Sequence, residues 1–302
     1  MFFARSALGI DLTNHNVRIA WLRKNKRGIQ VCNLVEKNIK DSSVEQILVK
    51  TKYELKKFCA LPILLPKNQV ICVSQSQVAI KRFPLTTYLP ELEQYMQVGI
   101  LLSESLGLPY EQLLYDYQLA KQNVIEAYAC RRALVQEKLS ALVKVGYQPS
   151  ILELQTQALM RLYQNKFKDL NKETAVLADI GFEHIQLLVW NGKAEPFYRE
   201  ITLCTDAAYE KDGVTQQLIE EILKLIPQIN TQFSYESVNS LWLCGEAASS
   251  VDCEKITTDL HWQVSLFNPF EHLSVNLQQN QVTAVEKWTT AIGLALRGVE
   301  SA

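Results

Sequence analysis

The chain has 302 residues, 48% of them hydrophobic and 21% charged, with a formal net charge of −1. That is apolar sequence enough to core two lobes or one large domain, and near-neutrality excludes a global field that would recruit nucleic acid or acidic lipid. The seven cysteines (Cys32, Cys59, Cys72, Cys130, Cys204, Cys244, Cys253) lack any C-x-x-C spacing and lie mostly in apolar runs, which excludes a disulfide framework or a zinc ribbon.

Met1 to Arg5 lead straight into a strand, with no basic segment and apolar core behind it, so no secretory signal is expected. The strand Leu8-Gly9-Ile10-Asp11-Leu12 ends in a polar turn, Thr13-Asn14-His15-Asn16, and Val17 to Trp21 form a return strand. Gly28 to Val35 alternates as a third antiparallel strand. Asp41-Ser42-Ser43 offers an N-cap for a helix through Phe58, with Val44, Ile47, Leu48, Leu55 and Phe58 on its apolar side. Pro62 and Pro66 close it, and the apolar run Phe58 to Leu65 is far too short to span a bilayer. Gln69 to Ser74 reads as a buried strand.

From about Gln77 to Pro149 the pattern is that of a self-contained insert. A strand, Val78 to Phe83, precedes a helix that begins near Pro90-Glu91 and stops at Gly107-Leu108-Pro109. Strands Leu113 to Leu119 and Val124 to Cys130 follow, joined by Ala120-Lys121-Gln122-Asn123, and a helix from Ala133 to Val145 stops at Gly146. The order β-α-β-β-α predicts a small layered subdomain. The basic pairs Lys81-Arg82 and Arg131-Arg132 could meet acidic residues of a partner or form a solvated edge. Phe83, Tyr117 and Tyr128 could line a groove or fill the insert's own core.

After a strand at Ser150 to Leu154 and a helix to about Asn165, the first hairpin's cadence returns. Val176-Leu177-Ala178-Asp179 is again an apolar strand ending in Asp, followed by Ile180-Gly181-Phe182-Glu183-His184 and a strand out to Trp190. Two such hairpins half a chain apart predict two pseudo-repeated lobes facing one cleft. A third strand, Glu195 to Leu203, and a helix carrying Leu218, Ile219, Ile222, Leu223 and Ile226 and ended by Pro227 come next. Strands Leu241 to Cys244 and Val264 to Phe267 and a C-terminal helix through Trp288 to Leu296 complete the chain.

Taken in order, several segments resemble the PilM family of type IV pilus assembly proteins, relatives of FtsA and actin. They are Gly9-Ile10-Asp11 with Val17-Arg18, Leu114-Tyr115-Asp116-Tyr117, Ala178-Asp179-Ile180-Gly181, Arg199-Glu200-Ile201, Leu243-Cys244-Gly245, Asn268-Pro269-Phe270 and Ala291 to Leu296. The resemblance implies an α/β, actin-like (ribonuclease H-like) two-lobed fold. The first lobe would span 1–76 and 150–170, with an inserted α+β subdomain at 77–149. The second lobe would span 171–302. It also implies a cytoplasmic scaffold, peripheral to the inner membrane through its partner, that grips the N-terminal tail of a PilN-like inner-membrane protein. The groove would run between the Leu8–Ser74 sheet and the Gln77–Pro149 insert, with Lys81, Arg82, Tyr117, Arg131 and Arg132 as partner-binding residues.

The nucleotide cleft of such folds maps onto Asp11, Thr13, Asn14, Asn16, Arg18, Asp179, Gly181 and Gly245. Asp11 and Asp179 could hold a cation or cap their turns, and Arg18 could be an ordinary exposed strand residue. The departures are specific. Thr13 replaces a glycine that would admit a phosphate, Phe182-Glu183-His184 replace small hydroxyl residues, and Gly245-Glu246 replaces Gly-Gly. Only about forty residues separate Ile201 from Leu241, too few for the multi-helix wall of a base pocket. The expectation is therefore no catalytic residue, no metal and no cofactor, with an ATP- and magnesium-dependent ATPase or sugar-kinase-type phosphotransferase as the alternative. The cytoplasmic part of a type II secretion protein is a third reading, weakened because no membrane span follows Ala302. His15, His184, His261 and His272 have no metal spacing, although His15 and His184 could face each other across the cleft.

Overall fold

The computed structural model describes residues 5–40, 42–57, 65–85, 89–120, 123–167, 174–190, 196–203, 211–233, 238–271, 273–275 and 282–301. The expectations placed on Asp41, Phe58, Cys59, Pro62, Lys121, Gln122, Glu195, Cys204 and His272 lie outside these residues.

The first sheet is built from β1 (Arg5–Leu12), β2 (Asn16–Asn25) and β3 (Gly28–Asn38), an antiparallel meander. Helix α1 (Val44–Lys57) leads to β4 (Asn68–Val73), which pairs parallel to β1. Ser43 caps α1: its hydroxyl accepts the Gln46 N–H, and the Gln46 side chain accepts the Ser43 N–H, a reciprocal capping box.

The insert follows as β5 (Val78–Pro84), α2 (Glu91–Leu106), β6 (Leu113–Ala120), β7 (Val124–Arg131) and α3 (Arg132–Lys144). Its three-stranded sheet runs β5-β7-β6, and α2 covers one face through Val98 and Leu102 against Leu113, Tyr115 and Ile125. Gly107 ends α2 in the left-handed conformation, as a Schellman-type stop needs. Helix α3 bridges from this layer to the first sheet: Val135 is buried with Cys130 of β7, while Leu142 and the following Tyr147 are buried with Leu48 and Leu55 of α1.

Then β8 (Ile151–Leu154) extends the first sheet, and α4 (Gln155–Phe167) crosses to the second half. There β9 (Thr174–Ile180), β10 (His184–Trp190) and β11 (Phe197–Thr202) form a second antiparallel meander. Helix α5 (Lys211–Gln232), β12 (Val238–Cys244), α6 (Cys253–Leu260), β13 (Gln263–Leu266), β14 (Ser274–Val275) and α7 (Thr289–Glu300) complete the order. The sheets read β14-β3-β2-β1-β4-β8 and β11-β10-β9-β12-β13. Apart from β14, each is a meander whose first strand pairs parallel with a fourth, so the repeat seen in the hairpins is a repeat of whole sheets.

Two sequence expectations change. Helix α5 does not end at Pro227 but runs to Gln232. Ile229 and Phe233 are buried in the second core while Pro227 sits on the solvent side, where water can take the carbonyl that proline leaves without a donor. The C-terminal helix α7 also packs on β1, β2 and β4 of the first sheet and on α4, not within the second lobe alone. Glycine allows this: a Cβ on Gly9 would lie 2.0 Å from the Ala291 carbonyl oxygen, and one on Gly293 would lie 2.3 Å from that of Ala158. Helices α4 and α7 thus form a shared layer between the two sheets, burying Leu159, Tyr163, Ile292 and Leu296 with Leu22 and Leu177.

Candidate functional site: the cleft between the sheets

At the carboxyl ends of β1 and β9 the two hairpin turns face one cleft of about 740 Å³. Its floor carries Asp11, Cys72 and Asp179, and its rim is formed by the two turns, Gly245-Glu246, the start of α1 and one face of α3. This is where a parallel α/β arrangement leaves strand ends uncovered and ligand sites collect.

The first turn is closed by Thr13. Its hydroxyl accepts the backbone N–H of His15 (3.2 Å) and of Asn16 (3.0 Å), the turn-capping role that the sequence suggested for Asp11. Glu246 from the opposite half lies against the same turn. Its Oε1 accepts from the Thr13 hydroxyl at 3.2 Å, Asn16 Nδ2 at 3.0 Å and an Arg18 guanidinium nitrogen at 2.6 Å. Arg18 is not an exposed strand residue: its side chain is 3% exposed, and its Nε also bonds Glu36 at 2.8 Å. Lys287, just ahead of α7, bonds the other Glu36 oxygen at 2.5 Å. Two cations and two carboxylates thus form one chain that ties the first sheet to the segment before α7. Hydrogen bonds from both cations hold the Glu36 carboxyl below its usual range despite burial.

The second turn mirrors the first in backbone only. Gly181 N–H donates to the His184 carbonyl at 2.8 Å, and Glu183 projects across the cleft to accept Asn14 Nδ2 at 3.1 Å. His15 meets Phe182 edge-on with centroids 5.1 Å apart and lies 3.5 Å from Glu183. It therefore packs on Phe182, while His184 stands beside Glu200 at 3.9 Å. Gly245 has φ +98°, and a Cβ there would lie 2.3 Å from Asp179 Oδ1, so this position needs glycine.

Asp11 and Asp179 are both buried at the floor. Asp179 accepts Gln155 Nε2 at 2.8 Å, and the Cys244 thiol lies 3.8 Å from its other oxygen; Arg18 stands 3.9 Å from Asp11. Burial pushes the Asp11 carboxyl up to about 6 against the pull of Arg18. Burial, reinforced by the charge of Asp11, pushes Asp179 up to about 7. These are the two carboxylates that could hold a cation, and among the described residues no group of three His, Cys, Asp or Glu surrounds a metal position.

All eight residues assigned to a nucleotide cleft are therefore brought together. Those assigned to a partner are not. Arg82 forks onto Glu126 at 2.8 and 2.9 Å, Arg132 donates to the carbonyls of Glu111 and Leu113, and Tyr117 packs with Tyr95 in the insert's core. Lys81 lies on β5, and Arg131 is exposed ahead of α3. None of the five lines the cleft; apart from Gln77 at its start, the insert residues that do are on α3, among them Leu134, Lys138, Ala141 and Lys144.

The family model described as type IV pilus assembly protein PilM matches residues 9–210, two thirds of the chain. The chain belongs to the PilM family. Its fold is similar to that of a PilM-PilN type IV pilus biogenesis complex at 18% identity, with a TM-score of 0.73 over 97% of this chain and 98% of that one. A Bacteroides thetaiotaomicron protein with an actin-like ATPase fold matches at 15% identity, TM-score 0.49, over 88% and 91% of the chains. The cytoplasmic domain of EpsL, an inner-membrane component of the type II secretion system of Vibrio cholerae, matches at 10% identity, TM-score 0.48, over 98% and 95%. As a PilM-family member, the chain has a role in type IV pilus assembly. Among the described residues no helix is long and apolar enough to cross a membrane.

Proposed function

We propose that this chain is a non-catalytic scaffold of pilus assembly, which binds a short extended segment of a PilN-like inner-membrane protein and does not hydrolyse ATP. The observation that carries the second half is Glu246. Its carboxylate takes the Thr13, Asn16 and Arg18 donors that a phosphate would need, and Glu183 takes Asn14. A phosphate brought into that turn would have to displace two carboxylates and then sit beside them, and like charges at such range repel strongly in a part-buried site. The residues present do not fit a bound nucleotide.

The first half rests on the family and on the shape of the cleft. Its outer part is a groove between the first lobe and α3, with Val44, Leu134 and Ala141 as apolar contacts and Glu45, Glu137, Lys138 and Lys144 around them. An extended peptide binds such a channel by alternating side-chain pockets and main-chain bonds. A PilN-like N-terminal peptide titrated against the full chain is expected to bind, and Leu134→Asp with Lys138→Glu to weaken it at least tenfold. Lys81→Glu with Arg82→Glu is expected to leave it within about twofold, because that pair lies outside the groove. Magnesium-ATP at millimolar concentration is expected to leave the melting temperature unchanged; a ligand at 100-fold its Kd would add about 2.7 kcal/mol. A clear upward shift, or ATP turnover lost in Asp11→Ala, overturns the scaffold reading.

A further inference from the structure

The net charge of −1 conceals an uneven distribution. At the end of the first sheet away from the cleft, the β2–β3 hairpin turns through Lys26-Arg27, with Asn25 opposite Gly28 in register and the Arg27 N–H donating to Asn25 Oδ1 at 2.8 Å. Arg23 and Lys24 precede that turn, and Lys24 stands directly opposite Arg5 of β1. All five basic residues are exposed, and none takes part in an ion pair among the described residues. Like charges in register oppose each other, so this end of the sheet is held against its own repulsion.

Helix α1 brings more cations to the same pole. Its first residues, Val44 and Glu45, line the cleft, and fourteen residues of helix span about 21 Å. Lys56 and Lys57 therefore stand at the far end, ahead of β4, which starts beside Ala7. On the exposed side of α1, Val49 and Tyr53 are 55% and 62% exposed, and Lys57 Nζ lies 4.6 Å from the Tyr53 ring.

We propose that this basic pole docks directly on the anionic headgroups of a phospholipid bilayer, placing the cleft on the side of the protein that faces away from the membrane. Clustered Lys and Arg draw a surface to acidic lipid within a screening length, and apolar side chains among them enter the headgroup region. A nucleic-acid backbone would use the same cations but offers nothing to exposed Val49. The membrane contact is separate from capture of a partner peptide at the opposite end of the lobe, so a segment emerging from the membrane runs along the lobe to reach the cleft.

The test is co-sedimentation of the full chain with vesicles of phosphatidylcholine alone and of phosphatidylcholine mixed with phosphatidylglycerol, at low and high salt. Binding is expected only to the mixed vesicles and to fall with salt. Lys24→Glu with Lys26→Glu is expected to weaken it at least ~25-fold, from about fivefold per basic residue lost. Lys224→Glu with Lys255→Glu changes the net charge equally on the second lobe and is expected to leave binding within about twofold, since the effect decays over a screening length. Unchanged melting temperatures in both variants exclude unfolding as the cause. The proposal is overturned by equal sedimentation with both vesicle types or with neither, by equal loss in the two variants, or by duplex DNA binding as tightly as the mixed vesicles at the same salt.

Discussion

The Thr13 turn and the Gly181 turn occupy equivalent places in two repeated sheets, yet they carry opposite chemistry. The first presents donors: the Thr13 hydroxyl, the Asn14 and Asn16 amides and the Arg18 guanidinium. The second, with the neighbouring Gly245-Glu246, presents the carboxylates that meet them. Two turns that both offered donors would share an anion from outside. Turns of complementary sign satisfy each other, and the cleft becomes a closure between halves. Within that closure the two carboxylates differ in weight: Glu246 is 8% exposed and meets a buried cation, whereas Glu183 is half exposed and accepts only the Asn14 amide among the described residues.

The harshest way to break the comparison is to part the halves that carry the turns. Gly293→Val would force a side chain into the Ala158 carbonyl and is expected to cost more than about 3 kcal/mol in urea unfolding. Glu246→Ala comes next, at about 3 kcal/mol, because it leaves the buried Arg18 without its shortest carboxylate contact. An equally large loss in Glu183→Ala would show that the two carboxylates are equivalent after all.

The floor of the cleft sharpens the contrast through pH. Asp11 and Asp179 keep their protons to about 6 and about 7, above the usual Asp value of 3.8, so the folded chain binds more protons than the unfolded one. Their contribution to stability is full below about pH 4 and is lost as the pH rises through 6 and 7. Asp179→Asn is expected to flatten that decline and to add about 2 kcal/mol at pH 8, read from unfolding curves across the range. No gain at pH 8 would mean that Asp179 is ionised without cost. Glu183→Ala is the smallest change, expected within about 0.5 kcal/mol, as for other exposed polar contacts.

Much of the frame was legible in local sequence. The Asp-ended hairpins, the insert's β-α-β-β-α order and the stop at Gly107 follow from period, turn chemistry and capping, each a matter of a few neighbouring residues. Pro227 misled because its penalty is local while the burial of Ile229 and Phe233 that overrides it is not. The destination of α7 was equally hidden, since Gly9, Ala158 and Gly293 have no common period and meet only in the packed molecule.

The site divides along the same line. The resemblance that the sequence carries implied which residues could gather at the cleft and that Thr13, Glu183 and Glu246 depart from a phosphate-binding pattern. Tertiary structure decided what those departures do. Glu246 reaches Arg18 across 228 residues, Lys287 reaches Glu36 across 251, and α3 brings Leu134 and Lys138 to the rim by bridging its own subdomain and the first sheet. Charge behaves likewise: a composition sums to −1 whatever the fold, but Arg5 meets Lys24 only through strand register. Hydrogen bonds and screened charges act over a few ångströms, and for residues far apart in the chain only the folded path sets those distances.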